Sequence, residues 1–235
     1  MRLAVIIPTL NEATRIGSLL EGLAGFDEVI VADGGSRDGT AEIARAQGAQ
    51  VVVAPRGRGP QMNAGARACR AELLLFLHAD TRPPSDAPYL IRTALADAAV
   101  AGGAFRAGFE GGDFSLRLAA WFTRFETGLT TFGDQAFFMR RSLFEAVDGF
   151  PDQPFLEDVE MRLRLKRAGR FVKLSDSVLT SARRFEAEGV LRRFAQNIAI
   201  LLLHRLGVPA ARLARWYRPG SASLSRRPAR VVADR

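Results

Sequence analysis

The sequence predicts an α/β fold, in which a mostly parallel central sheet is flanked by helices within a single domain. Short apolar runs alternate with segments of helical spacing through the first 100 residues, and such alternation is typical of right-handed β-α-β units. Of the 235 residues, 48% are hydrophobic and 25% are charged, which is ordinary for a globular domain with a full core. An arginine-rich final segment predicts a basic helical tail after that domain.

The first 100 residues divide into four strands and the helices between them. Each strand is a short apolar run bounded by Pro, Gly or Asp, as in LAVIIPTL and EVIVADGGS. Asn11 is the candidate N-cap of the first helix, Gly48 closes the second, and the glycine-rich RGRGP forms a loop before the third. The predicted strands are 3–10, 28–36, 49–55 and 72–80, and the predicted helices are 11–25, 40–48 and 61–70.

The regular alternation ends after residue 101, which indicates a second half built onto the sheet. This half is rich in aromatic residues and then in arginine. We expect one domain over residues 1–217, with halves at 1–100 and 101–217, followed by a disordered tail at 218–235. The predicted elements are a strand or hairpin at 102–112, a helix at 114–125, a strand entering a helix at 133–147, a charged helix at 157–168, a strand leading into a loop at 171–184, and a helix at 191–206 that is apolar nearly all round.

Charge is distributed unevenly along the chain. Residues 162–235 hold 18 Lys and Arg against 4 Asp and Glu, a net +14, so the rest carries −6 within a chain of net +8. A basic tail on an acidic body suits contact with an anion such as phospholipid, nucleic acid or sugar phosphate. The alternative is compositional bias, since Arg outnumbers Lys 31 to 2.

Nothing in the sequence predicts export or a membrane span. The apolar run after Met1 is too short for a signal peptide, and no run reaches the roughly 18 apolar residues of a span. The single cysteine, Cys69, excludes an internal disulfide and favours a reducing compartment; its alanine-rich surroundings are typical of core packing. We therefore expect a cytoplasmic protein.

Polar residues follow three of the four predicted strands. Because ligands of a parallel sheet bind beyond the carboxyl ends of its strands, this placement predicts a small-molecule site. Asp33 is followed by two glycines, which would let a base N–H or a ribose hydroxyl approach its carboxylate closely. The chain lacks GxGxxG and GxxxxGKS, which disfavours a dinucleotide cofactor and a P-loop NTPase. The residues in question are Thr9, Asn11 and Glu12; Asp33, Ser36 and Asp38; and His78 and Asp80.

Two acidic motifs are candidates for the chemistry. Asp80 lies at the mouth of a buried strand, where a carboxylate needs a charge partner or a metal; beside a diphosphate it would hold Mg²⁺ or Mn²⁺. His78 falls on the same face of an extended strand and either adds a nitrogen ligand or hydrogen-bonds Asp80. Glu157 and Asp158 open a helix, and they either stabilise its N-terminus or supply a general base.

These pieces together resemble the family-2 glycosyltransferases, in particular bacterial members with a short form of the domain. The resemblance runs from about residue 3 to residue 217 and implies a GT-A fold, a nucleoside-diphosphate-sugar donor, a divalent cation and inversion at the anomeric carbon. Five stretches carry it in the family's order: IIPTLNEA, VADGGSRDGT, RGRGPQMNAGA, FLHADT and FLEDVEMRLRLKRAG.

The resemblance also implies roles for individual residues. Asp158 resembles the catalytic base of the family's ED motif, and Asp80 resembles the metal-binding last Asp of its DXD motif. Asp33 resembles the residue that reads the base, usually uracil, which implies a UDP-sugar. The other implied substrate-binding residues are Pro8, Thr9, Asn11 and Glu12 in the nucleotide pocket, Arg58 and Asn63 near the donor, Asp134 beside the sugar and acceptor, Glu157 next to the base, and Arg183 and Arg184 in the basic motif SARRF.

Two positions depart from the family pattern. The DXD motif reads His78-Ala79-Asp80, so its first carboxylate is missing and the choice between Mn²⁺ and Mg²⁺ stays open. SARRF has Phe185 where Trp is common, which changes the surface on which an acceptor would stack.

The acceptor is a hydroxyl or carboxyl compound that the sequence does not identify. The apolar helix 191–206, its flanking arginines, and Trp216 and Tyr217 suit either a core helix with a solvated basic face or peripheral contact with the anionic inner face of the cell membrane. In the second case a lipid-like or carotenoid-like acceptor is expected.

Three rival functions are disfavoured. A sugar-phosphate nucleotidyltransferase would carry a glycine-rich first loop, but PTLNEA has no glycine. A nucleic-acid-binding protein would show a reader motif, and none is present. A non-catalytic nucleotide-sugar-binding protein would not need the carboxylates Asp80 and Asp158, which are both in place.

Overall fold

The computed structural model describes residues 1–110, 114–128, 130–181 and 189–216. Within these ranges eight strands form one mixed sheet in the order β3-β2-β1-β4-β7-β6-β8-β5, and helices pack against it. The strands are β1 (Leu3–Thr9), β2 (Glu28–Asp33), β3 (Gln50–Val53), β4 (Leu73–Phe76), β5 (Thr81–Arg82), β6 (Val100–Glu110), β7 (Phe137–Arg140) and β8 (Arg170–Ser181). The helices are α1 (Ala13–Glu21), α2 (Thr40–Ala46), α3 (Arg58–Ala68), α4 (Ala87–Ala96), α5 (Phe114–Phe122), α6 (Arg141–Ala146), α7 (Glu157–Ala168), α8 (Val190–Arg205) and α9 (Ala210–Trp216).

The predicted parallel core is present. β1 pairs in parallel with β2 and with β4, and β2 pairs in parallel with β3. Alternate side chains of β1 enter different cores: Leu3, Val5 and Ile7 pack on one face of the sheet, and Ala4 and Ile6 on the other. Burial on both faces explains why the strand is a continuous apolar run and not an alternating one.

The second half extends the same sheet with reversed direction. β7 runs antiparallel to β4, with Phe137 opposite Phe76, so β7 begins at the edge where β4 ends. The stretch predicted as a strand or hairpin is one long strand, β6, which lies parallel to β8. Gly103 allows this pairing, because a Cβ there would lie 2.4 Å from the carbonyl oxygen of Val172.

Helices α8 and α9 cover the carboxyl edge of the sheet through a separate small core. Ile200 and Leu201 of α8 pack with Leu213 of α9 and with Leu156, the residue before α7. The opposite face of α8 is exposed, so the helix predicted to be apolar nearly all round is only half buried. In the described ranges, no helix has the length and apolar character needed to cross a bilayer.

Several local predictions were wrong. Asn11 is not the N-cap of α1: it adopts a left-handed conformation (φ 57°), and the helix begins two residues later. Arg58 lies in the first turn of α3 and not in a loop, because the helix starts three residues before the predicted boundary. Helix α4 was not predicted, and the expected disordered tail at 218–235 lies outside the described residues. Cys69 is buried, as its surroundings suggested.

Candidate active site

The site lies at the edge of the sheet where β1, β2 and β4 end. The parallel pairing places Thr9 beside Asp33, and the antiparallel β7 brings a short 3₁₀ turn, Gly133–Gln135, to the same edge. β8 also ends there, and the N–H of Ser181 donates to the carbonyl oxygen of Asp80 (3.3 Å). The topology therefore collects residues from both halves of the chain at one place.

Asp33 is buried and fully engaged in hydrogen bonds. Its carboxylate accepts the backbone N–H groups of Gly35 (3.0 Å) and Ser36 (2.9 Å), and the hydroxyl groups of Ser36 (2.5 Å) and Thr9 (3.2 Å). Burial raises the pKa of Asp33, but the four hydrogen bonds outweigh it and hold the pKa below its ordinary value. The carboxylate is therefore a fixed, ionised group at the end of β2.

Polar contacts join the loops after β1 and β2 into one unit. The side-chain oxygen of Asn11 accepts the N–H of Arg37 (2.9 Å), and the N–H of Asn11 donates to the hydroxyl of Ser36 (2.9 Å). Asp38 accepts the N–H groups of Ala13 (3.0 Å) and Thr40 (3.1 Å), the first residues of α1 and α2. Asn11 therefore joins the loops after β1 and β2 to each other, and it does not cap the first helix as the sequence predicted.

Glu12 and Pro8 border this unit. The carboxylate of Glu12 pairs with Arg15 (2.7 Å), and its N–H donates to the hydroxyl of Thr40 (2.8 Å). Pro8 is the second-last residue of strand β1 and is partly buried. Both residues stand where the sequence placed them, at the carboxyl end of β1.

Gln61 is a site residue that the sequence analysis did not single out. Its buried amide nitrogen donates to the carbonyl oxygens of Thr9 (2.7 Å) and Ala32 (2.8 Å), and so ties α3 to the ends of β1 and β2. The side chain lies against Gly34, where a Cβ would come within 3.1 Å of it. Gln61 lies in RGRGPQMNAGA, one of the five stretches that carry the family resemblance, and this position was the sequence signal that could have identified it.

Asp80 and His78 lie in a turn, which corrects the extended geometry predicted for them. β4 ends at Phe76, and the N–H of Thr81 donates to the carbonyl oxygen of His78 (3.1 Å), closing a tight turn. The two side chains therefore do not share a strand face, yet both line the same cleft. The hydroxyl of Thr81 donates to the Asp80 carboxylate (3.3 Å).

Asp158 is held in place by two backbone donors. Its Oδ2 accepts the N–H of Gly133 (2.6 Å), and its Oδ1 accepts the N–H of Val159 (2.8 Å). Leu156 adopts a left-handed conformation (φ 62°) and is the last residue before α7, which begins at Glu157. Each carboxylate oxygen keeps a further lone pair for a hydroxyl in the cleft.

Three ionisable groups around Asp158 have strongly shifted pKa values. Burial, followed by the negative charges of Asp158 and Asp80, raises the pKa of Asp134 to about 6. Burial and the charge of Asp158 raise the pKa of Glu157 to about 7, and burial lowers the pKa of Lys173 to about 7. Such shifts gather at functional sites because charges are held there in low dielectric.

Arg58 and Asn63, both on α3, make different contacts. The Arg58 guanidinium lies 3.7 Å from the buried carboxylate of Glu157 and also lines the cleft. The Asn63 amide instead makes two hydrogen bonds to the backbone of Phe150, at 2.8 and 2.9 Å. The donor-binding role predicted for Asn63 stays a prediction, and its visible contacts position the Phe150 turn.

One cleft, open to solvent, joins Arg58, Asp80, Asp134 and Asp158. It brings together five of the predicted residues, whereas Thr9, Asn11, Glu12 and Asp33 are not among its lining residues, and Glu157 contacts the lining residue Arg58. Arg183 and Arg184 lie outside the described residues. The lining consists of Arg58, His78, Asp80, Asp134 and Asp158, the hydroxyl residues Thr180 and Ser181, Asn197, and the apolar Phe132, Phe155, Leu156, Ile200 and Leu201.

The donor set fits a divalent cation that is completed by its substrate. Asp134 has one carboxylate oxygen, Oδ1, that is shut off from solvent and has no hydrogen-bond partner within the described ranges. Together with Asp80 and Asp158 it gives the cleft an excess of negative charge. The described side chains include no group of three or more His, Cys, Asp or Glu arranged to hold a metal. A Mg²⁺ or Mn²⁺ ion held by one or two carboxylates and by phosphate oxygens needs no more than that.

The mixed sheet with an acidic cleft at its carboxyl edge places the chain among GT-A glycosyltransferase folds. More specifically, the chain belongs to glycosyl transferase family 2, whose family model matches residues 4–147.

Curated relatives match shorter stretches. An uncharacterised glycosyltransferase of Mycobacterium bovis is 35% identical over 89 residues, which are 37% of this chain and 41% of the relative. The glycosyltransferase AglJ of Haloferax volcanii is 47% identical over 51 residues, or 21% of this chain and 17% of the relative. The matched stretches thus span about two fifths or less of these relatives.

Solved structures share the fold. The mannosyltransferase PcManGT from Pyrobaculum calidifontis, in complex with GDP-Man and Mn²⁺, has a TM-score of 0.69 at 21% identity, covering 88% of this chain and 65% of its own. Glucosyl-3-phosphoglycerate synthase from Mycobacterium tuberculosis, in complex with Mn²⁺, UDP and glucosyl-3-phosphoglycerate, has a TM-score of 0.62 at 20% identity, covering 88% and 81%. S. aureus TarS in complex with UDP-GlcNAc has a TM-score of 0.61 at 21% identity, covering 77% and 58%.

Proposed function

We propose that the protein transfers a sugar from a nucleoside-diphosphate-sugar to a hydroxyl or carboxyl group of an acceptor, with inversion at the anomeric carbon. The observation that carries this proposal is the cleft that Asp158, Asp80, Asp134 and Arg58 line together. A base, a cation-binding carboxylate and a guanidinium are the groups that such a displacement needs.

The nucleoside is assigned to the edge beside this cleft. Asp33 is an ionised carboxylate at the end of β2, and the loops around it are fixed by hydrogen bonds before any ligand arrives. Uracil is the proposed base, since solved relatives of this fold were obtained with UDP and UDP-GlcNAc, although another was obtained with GDP-Man. Pro8, Thr9, Asn11 and Glu12 border the proposed nucleoside position, and Arg58 reaches toward the diphosphate.

Asp158 is the proposed catalytic base. Two backbone N–H groups fix its carboxylate, and its free lone pairs face the cleft. It would accept the proton of the acceptor hydroxyl as that oxygen attacks the anomeric carbon, while the nucleoside diphosphate leaves from the opposite side.

Two positive charges are available to the departing diphosphate. Arg58 is held near the cleft by the Glu157 carboxylate, and Asp80 is the proposed ligand of a divalent cation. When bound, Mn²⁺ or Mg²⁺ would neutralise charge on the phosphate oxygens. Asp134 completes the acidic wall on the side of the sugar.

The acceptor is proposed to have an apolar portion. Phe132, Phe155, Leu156, Ile200 and Leu201 form the cleft wall contributed by α8 and the segments that pack on it. A polyhydroxylated acceptor would leave this wall without matching groups, whereas a lipid-like or carotenoid-like acceptor would bury it. A peripheral location at the inner membrane face is part of the same proposal.

The experiment that tests this function is a thermal-shift panel of UDP, GDP and ADP, each with Mn²⁺, Mg²⁺ or chelator. A ligand at 100 times its Kd stabilises the folded state by about 2.7 kcal/mol, and we expect one base to do so only with metal. Asp80→Asn should abolish the metal dependence, while Asp86→Asn, an exposed carboxylate at the start of α4, should not. The absence of a shift with every nucleotide at millimolar concentration would contradict both the proposal and the alternative of a non-catalytic nucleotide-sugar-binding protein.

A further inference from the structure

The aromatic helix α5 exposes an apolar face that the proposed chemistry does not use. Leu118, Trp121, Phe122 and Phe125 recur at helical spacing along α5 and just after it, and each is 43–47% exposed. Leu116 is buried, so the helix is anchored by its other face. The exposed rings contact one another: Trp121 lies edge-on to both Phe122 (5.1 Å) and Phe125 (5.3 Å).

The exposed face of α8 continues this surface. α5 packs against α8, and Ile198 and Leu202 of α8, each one residue after a residue that lines the cleft, are exposed to solvent beside it. Leu206, just after α8, and Trp216, at the end of α9, are also exposed; the backbone oxygen of Trp216 accepts a hydrogen bond from Gln196 of α8 (3.2 Å). We call Leu118, Trp121, Phe122, Phe125, Ile198, Leu202, Leu206 and Trp216 the aromatic surface.

Arginines border the aromatic surface. Residues 189–216 contain five arginines and no Asp or Glu. Arg192 and Arg205 are exposed at the two ends of α8, and Arg212 and Arg215 are exposed on α9. The guanidinium of Arg124 lies over the Trp121 ring at 4.4 Å. Exposed aromatic side chains with exposed arginines on the same and adjoining helices match the chemistry of a bilayer interface, in which acyl chains lie beneath anionic headgroups.

We propose that the aromatic surface docks on an anionic lipid bilayer, with Trp121, Phe122 and Phe125 inserted among the acyl chains and the arginines at headgroup level. This inference rests on the proposed function, because docking would serve to bring a membrane-embedded acceptor to the cleft. Helix α8 contributes exposed residues to the aromatic surface, and its Asn197, Ile200 and Leu201 line the cleft. An acceptor embedded in the bilayer would thus enter the cleft along α8 without crossing bulk water.

The test is flotation of the full chain with vesicles of phosphatidylcholine alone or mixed with phosphatidylglycerol. We expect binding to the anionic vesicles that weakens with salt, because charge attraction is screened. Trp121→Ser with Phe122→Ser should weaken it about tenfold or more through lost apolar burial. Arg205→Gln with Arg212→Gln should weaken it further at low salt, by about fivefold per arginine. The matched control is Val53→Ser with Tyr89→Ser, two exposed apolar residues in the first half of the chain.

Three results would overturn the proposal: no binding of the natural chain to anionic vesicles, equal weakening by the control pair, or a concentration-dependent dimer that the Trp121 and Phe122 substitutions dissolve. The dimer would reassign the surface to a second copy of the chain. Each variant is also tested for the metal-dependent nucleotide shift, which reports folding of the first half. Weakened vesicle binding in the Trp121 and Phe122 variant with that shift intact supports the docking surface. A natural chain that shows the shift but does not bind anionic vesicles counts against the docking surface alone, whereas absence of the shift from the natural chain counts against the proposed function.

Discussion

The two halves of the molecule meet at one edge of the sheet but hold their charges differently. In the first half, Asp33 and Asp38 are surrounded by hydrogen-bond donors that lower their pKa values despite the opposing effect of burial. In the second half, Asp134, Glu157 and Lys173 are deprived of water without enough partners, and their pKa values move toward neutrality. The carboxylates of the first half already have their hydrogen-bond partners, whereas the buried ionisable groups of the second half have too few, a cost that a bound cation would reduce.

This difference follows from how each half supplies partners. The loops after β1 and β2 offer free backbone N–H groups and hydroxyls to the carboxylates beside them. The carboxylates of the second half come from separate segments, the turn before β7 and the start of α7, which lie in direct contact. Burial, followed by the proximity of like charges, raises the pKa values of Asp134 and Glu157, whereas N–H and hydroxyl donors lower those of Asp33 and Asp38.

The largest effect is expected on the rate of sugar transfer, when Asp158 in the second half is substituted. Asp158→Asn should lower the rate of transfer about 10²–10⁴-fold, because an amide does not accept the proton of the acceptor. Donor affinity should stay nearly unchanged, since the nucleoside site is in the other half. The measurement is nucleoside diphosphate release, together with the thermal shift by nucleotide. Glu160→Gln, in the same helical turn, is the control; equal losses in both variants would remove Asp158 from the role of base.

The second prediction concerns the first half, where substitution of Asp33 should lower the free energy of unfolding. Asp33→Ala leaves two backbone N–H groups and two hydroxyls without their acceptor and should lower the free energy of unfolding by about 2–4 kcal/mol in urea denaturation at neutral pH. Because the pKa of Asp33 is lowered in the folded state, this difference should shrink as the pH falls below 3.8, its ordinary value. Glu42→Ala removes an exposed carboxylate from α2 and serves as the control. A loss no larger than that of the control would mean that the Asp33 network is not preformed.

The smallest effect, and the sharpest contrast, is the pH dependence caused by Asp134. Its pKa is raised from 3.8 to about 6, so the folded protein holds this proton more tightly than the unfolded chain. The free energy of unfolding therefore falls as pH rises through that interval, and the full penalty persists above it. Asp134→Asn removes the penalty and should gain about 1–3 kcal/mol relative to the natural chain between about pH 4 and pH 7.

That comparison is made by denaturant unfolding in the presence of chelator, so that no cation neutralises the cleft. The exposed Asp152→Asn is the control and should unfold in parallel with the natural chain at every pH. If the free energy of unfolding of Asp134→Asn also followed that of the natural chain at every pH, the ionised Asp134 carboxylate would not destabilise the folded protein.

Sequence reasoning worked best where burial alone decides the structure. The apolar runs of β1, β2 and β4 predicted buried parallel strands, and the charged helix at 157–168 was found with the predicted bounds. It failed at boundaries that depend on single backbone conformations, such as Asn11 at φ 57° and the turn after Phe76. Helix α4 was missed between two elements that had been assigned.

By itself the sequence determined the α/β class, the family and most of the acidic residues at the sheet edge, because apolar periodicity and the order of short motifs are local properties of the chain. Only the tertiary structure decided which of those residues share a cleft. The antiparallel placement of β7 next to β4 brings Gly133 to Asp158 and sets Asp134 among like charges, across separations that no local pattern encodes. The tertiary structure likewise decided that α8 presents one face to the cleft and the other to solvent, because a helix apolar nearly all round does not indicate which side its neighbours cover.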